Sequence, residues 1–200
     1  MNRKWIMVLL LFVFLCFITV STAALAAETE TSAWDHILSV VRFFAAHPWV
    51  QIAGAIVVVV LFLLLPKKCK YGLLILYALL ILYMTLLSRE AKVKAGMKLE
   101  LLWSVKAAIN SKAGWTAWAQ IIGNACFFIP LGFMLSYLHP GMEKKRVWIW
   151  ILVCIGFSVA IEVLQYVTGR GFMDVDDVVC NGVGAAIGAA LGRSRVMGDE

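Results

Sequence analysis

The stretch VWIWILVCIGFSVAIEVLQYVT, residues 147–168, decides the fold of this chain. At 1.5 Å per residue a helix of that length reaches about 33 Å, enough to cross the ~30 Å hydrocarbon core of a bilayer. Its one ionisable group that carries formal charge is Glu162. A carboxylate within a span costs a few kcal/mol or more and normally faces a protein interior, so Glu162 asks for partners. At 100° per residue Ser158, Glu162 and Gln165 share one stripe of the helix, which supplies two of them.

The pattern continues downstream. Gly169 ends the helix, Arg170 follows in a connector, and Asp174, Asp177, Asn181, Gly184 and Gly188 then fall within roughly 80° of one another at helical spacing, with Asp176 pointing elsewhere. A short connector between two stripes predicts that they pack face to face, the small residues of the last helix allowing close approach; Gly184, Gly188 and Gly192 are spaced four apart, as packing glycines are. Upstream, Asn124 opens the run Asn124-Ala-Cys-Phe-Phe-Ile-Pro-Leu-Gly-Phe133, where Pro130 kinks a span and Gly132 admits a close neighbour. Asn124 is placed within reach of the same cluster.

Composition agrees with a membrane solvent. Of 200 residues 62% are hydrophobic and 15% charged, with a mean hydropathy of +0.89, where a soluble domain has nearer a quarter of its residues charged. The net charge of +6 comes from short Lys/Arg clusters between apolar stretches, which read as topology signals, and no nucleic-acid partner is expected. The five cysteines have no CxxC spacing and read as small apolar residues.

The predicted fold class is all-α: a polytopic transmembrane helical bundle of about five spans, at residues 49–65, 71–87, 115–138, 147–168 and a shorter one at 178–191. Ahead of them stands a signal peptide ending at Ala26 or an additional signal-anchor helix. Residues 34–44 fit a short amphipathic helix at the interface. Threading the chain with its N-terminus inside places Arg3, Lys4, Lys67, Lys68, Lys70, Lys144, Lys145, Arg146, Arg193 and Arg195 in the cytoplasm, so that the C-terminus is cytoplasmic and the polar cluster extracytoplasmic. The basic loop 88–114 is then extracytoplasmic too. Its apolar residues suit the outer leaflet, where its lysines meet anionic lipid or an anionic envelope polymer; a plain solvated loop is the other reading.

Two accounts of the cluster stand side by side. Asp174 suits a helix N-cap, Asp177 the positive helix end, and Arg170 a neutralising partner, so capping and packing explain much of it. The functional account makes Asn124, Ser158, Gln165, Arg170, Asp174 and Asn181 binding residues, with Glu162 or Asp177 as acid/base candidates. Asp174, Asp176 and Asp177 are candidates for a divalent cation, although three close aspartates without histidine are an unspecific signal. No nucleophile elbow, zinc motif or phosphate loop is present, and no cofactor is expected.

Taken together, Asn124-x-x-x-Phe-Ile-Pro-x-Gly132, Ser158-x-x-x-Glu162-x-x-Gln165 and Arg170-x-x-x-Asp174-x-Asp176-Asp177-x-x-x-Asn181-x-x-Gly184-x-x-x-Gly188 resemble the VanZ-like family over residues 71–191, and Met84 to Arg89 is similar to the end of that family's first shared helix. The chain divides accordingly into a signal-like segment 1–26, a variable part 27–70 with one span, a VanZ-like domain 71–192 and a tail 193–200. Where the family tends to carry a Pro-Phe pair, this chain has Leu102-Trp103. The resemblance implies a bacterial cell-envelope membrane protein associated with reduced susceptibility to teicoplanin-type glycopeptides, whose partners are membrane lipid and a lipid-linked cell-wall precursor. It implies no settled reaction and no catalytic residues. Three functions therefore remain open on the residues alone: a non-enzymatic binding factor, a membrane enzyme acting on a lipid-linked substrate through Glu162 or Asp177, and a proton-linked transporter using Glu162.

Overall fold

The computed structural model describes residues 47–87, 96–110, 114–139 and 147–197. The signal-like segment, the amphipathic stretch 34–44, Ser88-Arg89 and the basic turn Lys144 to Arg146 lie outside them. Along the chain run α1 (Pro48–Leu64), α2 (Lys67–Leu82) continued by a π-helical turn (Tyr83–Leu87), strand β1 (Met97–Lys98), α3 (Trp103–Asn110), α4 (Gly114–Leu138), α5 (Val147–Val167), strand β2 (Met173–Asp174) and α6 (Val175–Met197). The chain is thus the expected all-α bundle. Among the described residues four segments are long and apolar enough to cross a membrane, Lys67–Leu86, Trp118–Leu138, Val147–Val167 and Val175–Arg195, and α1 is a shorter apolar helix beside them.

Large apolar side chains stand exposed along the bundle, among them Ile75 and Leu76 of α2, Trp148 and Leu152 of α5 and Val183 of α6. In water such faces would be a liability; against hydrocarbon they are the required outer surface. Inside, Phe62, Phe128, Met134, Cys154 and Ile161 close the core.

Three boundaries differ from the sequence-based expectation. Leu65, extended at ψ 144° because it precedes Pro66, ends α1, and α2 starts at once at Lys67 instead of Tyr71. Lys70 consequently lies inside a helix, buried, with its ammonium 4.2 Å from the ring centre of Tyr137 and 4.9 Å from that of Phe62. The last span is 23 residues long, Val175–Met197, where 178–191 was expected, because Asp174 begins it early and the arginines of its last turns remain helical. Loop 88–114, read as irregular, contains α3 and a parallel two-residue ladder, Met97 beside Met173 and Lys98 beside Asp174.

The glycines carry the largest correction. Their close approach is not to α5, as the short connector suggested, but to α4. A Cβ on Gly184 would overlap the carbonyl of Ala125, on Gly188 that of Ile129 and on Gly192 that of Phe133, while Gly132 of α4 reciprocates against Ala185. The partner positions 125, 129 and 133 are themselves spaced four apart, so the i±4 rows of both helices mesh with backbone on backbone. Pro130 lies in this same helix without ending it. It offers no N–H to the Cys126 carbonyl, and at the next carbonyl, Phe127, the Tyr77 hydroxyl of α2 donates a hydrogen bond of 3.0 Å.

Gly184→Leu is expected to destabilise the protein by about 3 kcal/mol, the upper end of overpacking costs, whereas Gly156→Leu, at a site where an added Cβ meets no atom within 4 Å, leaves stability unchanged. Thermal unfolding and membrane abundance of the two variants check this pair.

Candidate functional site

The predicted stripe forms on α5: Ser158, Glu162 and Gln165 are all buried, and so are Asp174 and Asn181 across from them. Two contacts join the stripes directly. Asn181 Nδ2 donates to Ser158 Oγ at 2.8 Å, and Glu162 Oε2 accepts the backbone N–H of Asp174 at 2.9 Å. A buried carboxylate thus receives a donor from the first residues of the helix it faces.

The connector owes its shape to Gly169. With φ at 64° it takes the left-handed conformation that ends α5; its N–H donates to Tyr166 O at 3.2 Å and the Arg170 N–H to Gln165 O at 2.9 Å. This Schellman arrangement satisfies the last carbonyls of the helix and turns the chain back. Arg170 sits half-buried in the connector, and Asp177 half-buried in the first turn of α6, where the helix dipole favours an acid.

Asp174 is the N-cap of α6, its Oδ1 accepting the Asp176 N–H at 3.0 Å. Its second oxygen accepts the Trp103 indole N–H at 3.0 Å. Asp176, which turns away from the stripe as its helical angle predicted, accepts the backbone N–H groups of Leu102 at 2.6 Å and Ser104 at 2.8 Å. It therefore caps α3, some seventy residues away in sequence. Leu102 adopts φ 61°, a conformation that strains a branched side chain, and its N–H is a donor that only a non-proline residue supplies there. Lys98 completes the layer, with its ammonium 3.6 Å from the Trp103 ring centre and 5.1 Å from that of Phe172. At the exposed edge, the ion pair of Lys106 with Glu100 at 2.7 Å raises the Lys106 pKa.

The other side of the site comes from α2. Gln165 Nε2 donates to the carbonyl of Thr85 at 2.9 Å, and Thr85 lies in the π-helical turn. Such turns leave carbonyls out of the regular ladder and recur at functional sites. At this end of the bundle Gln165 Oε1, Asn181 Oδ1 and Asn124 Nδ2 are among the buried amide atoms with no hydrogen-bond partner among the described residues. Asn124 is half-buried on α4, next to the Ala125 that receives Gly184. Among the described residues no group of three His, Cys, Asp or Glu is arranged to hold a metal ion, and the carboxylates of Asp174 and Asp176 are engaged with N–H donors.

Sequence reasoning missed Trp103, Leu102, Ser104, Lys98 and the Thr85 carbonyl. No local pattern marks backbone amides as ligands of a distant acid. The available signal was Asp176 itself, an acid in apolar sequence that faced away from its own stripe.

The family model described as VanZ/LLP1 matches residues 74–196. No curated protein and no solved structure matches the chain.

Removing the cap with Asp176→Ala is expected to cost about 2 kcal/mol locally and so to speed tryptic cleavage at Lys106 roughly thirtyfold. Glu100→Ala, which removes only an exposed ion pair, leaves the cleavage rate within a factor of about two.

Proposed function

The chain belongs to the VanZ/LLP1 family and is a multi-pass membrane protein of the VanZ type, and from that premise we propose that it is a bacterial cell-envelope factor that lowers susceptibility to teicoplanin-type glycopeptide or lipoglycopeptide antibiotics by binding, not by chemistry. The cluster at the connector end faces the outer leaflet in this reading. It holds a polar headgroup there, that of a membrane lipid or a lipid-linked cell-wall precursor, and so changes what the drug reaches.

The observation that carries the proposal is the set of unpaired amide atoms in a buried stripe. Gln165 is 2% exposed and Asn181 6%, yet Gln165 Oε1 and Asn181 Oδ1 have no partner among the described residues. Buried polar atoms left without partners cost about 1–3 kcal/mol each, a cost that a ligand's donors would offset. The acids next to them support binding over catalysis. Asp174 and Asp176 spend both oxygens on N–H donors, and Glu162 gives one oxygen to a backbone amide. Groups held this way hold geometry well and move protons poorly. The exposed apolar side chains of Leu99, Leu101, Leu102 and Ile109 support placing 96–110 in the interface above the cluster, with Lys98 and Lys106 towards anionic headgroups.

Glu162→Gln, Arg170→Ala and Asp177→Asn, each tested at matched membrane abundance, are expected to weaken binding about tenfold, near 1.4 kcal/mol, and to restore glycopeptide sensitivity. Lipid-linked precursor pools should stay unchanged between strains. Three variants as protective as the parent would reduce the cluster to packing, and an altered precursor pool would move the reading to an enzyme.

A further inference from the structure

A concavity runs along the side of the bundle between α1, α4 and α6, from the level of Cys126 to Arg195. It is a groove of about 740 Å³ lined along α1 by Ile52, Ile56 and Leu63, along α4 by Phe133, and at one end by Ser194 and Arg195 of α6. Apart from those last two residues its lining is apolar.

Its dimensions are those of one leaflet. Ile52 to Leu63 spans about 16 Å of helix, half of the ~30 Å hydrocarbon core. Arg195 is the last residue of the membrane-length segment Val175–Arg195, so the groove runs inward from the boundary of the core. A single extended hydrocarbon chain fits along such a slot. Its polar end is cationic. Arg195 is exposed and forms no ion pair among the described residues, and the exposed Lys67 and Lys68 stand at the same end of the bundle, just past the end of α1. The Ser194 hydroxyl donates to Leu191 O at 2.9 Å, which leaves Arg195 as the donor for any anion at the mouth.

From this geometry we infer that the groove is a binding site for an anionic glycerophospholipid of the leaflet that meets Arg195, one acyl chain lying along α1 and the phosphate on the guanidinium. An acyl chain matches a lateral apolar slot one leaflet long, and a phosphodiester matches the cations at its mouth. The site is independent of the polar cluster and of the function proposed for it.

The test uses the full chain in vesicles of phosphatidylcholine and phosphatidylglycerol in equal parts, extracted into mild detergent and weighed intact by native mass spectrometry. The parent protein should retain phosphatidylglycerol in preference to phosphatidylcholine. Arg195→Gln should lower that retention about fivefold, the factor expected of one cation at an anionic surface. Ala55→Trp, which fills the groove and leaves the charges in place, should lower it as much. Equal retention of the two lipids, or retention unchanged in either variant, overturns the inference. So does a lipid-free mass of two chains, which would assign the groove to a second copy. A chain starting at residue 28 that alone gains lipid would assign it instead to the N-terminal segment and likewise overturn the inference.

Discussion

The backbone of α6 rests on the backbone of α4, and the remaining contacts of the bundle's polar end depend on that approach. Gly184, Gly188 and Gly192 meet the carbonyls of Ala125, Ile129 and Phe133, and Gly132 meets Ala185. Between helices in lipid there is no hydrophobic gain to be had, so association rests on close van der Waals contact and on hydrogen bonds. Any side chain at these glycines would lift α6 away. Asn181 would then lose Ser158, and the Asp174 amide would lose Glu162.

Once α6 is fixed, its first turn organises three separate parts of the chain. Asp174 holds the start of its own helix and the Trp103 indole, Asp176 holds the start of α3, and Glu162 of α5 holds the Asp174 backbone. Gln165 ties α5 to the π-helical turn of α2. The acids that appear in the sequence as a candidate reactive cluster are therefore chiefly acceptors of N–H groups. That distribution explains why capping and binding are not rival accounts. The carboxylates build the frame, and the amides of Asn124, Gln165 and Asn181 each keep one atom without a hydrogen-bond partner among the described residues.

Much of this was legible in the sequence because the membrane simplifies the code. Charges are scarce in apolar sequence, so each one is informative: Glu162 located the polar stripe of α5, and the spacing of Asp174 and Asn181 located its partner. The existence of the membrane-length helices followed from length and hydropathy alone, whereas the short α3 did not. What failed to show was any partner chosen across long sequence distance. The glycines at four-residue spacing announced close packing without naming the helix they pack on, and the short connector pointed to α5 where α4 is the true neighbour. Leu102 at φ 61° and the Thr85 carbonyl are backbone features, invisible to residue type. Lys70 reads as a loop cation only if Pro66 breaks the chain for several residues; instead Leu65 ends α1 and Pro66 is already the N-cap of α2.

The central claim is that glycine packing at one place sets the polar geometry at another, and it is tested most directly by amide hydrogen exchange in Gly188→Leu. Position 188 lies about 10 Å along α6 from Asn181 and about 21 Å from Asp174. The account predicts that the amides of 174–181 exchange markedly faster in the variant than in the parent, although none of the cluster's own residues is altered. Unchanged exchange there, in a variant that still inserts and folds, would contradict it.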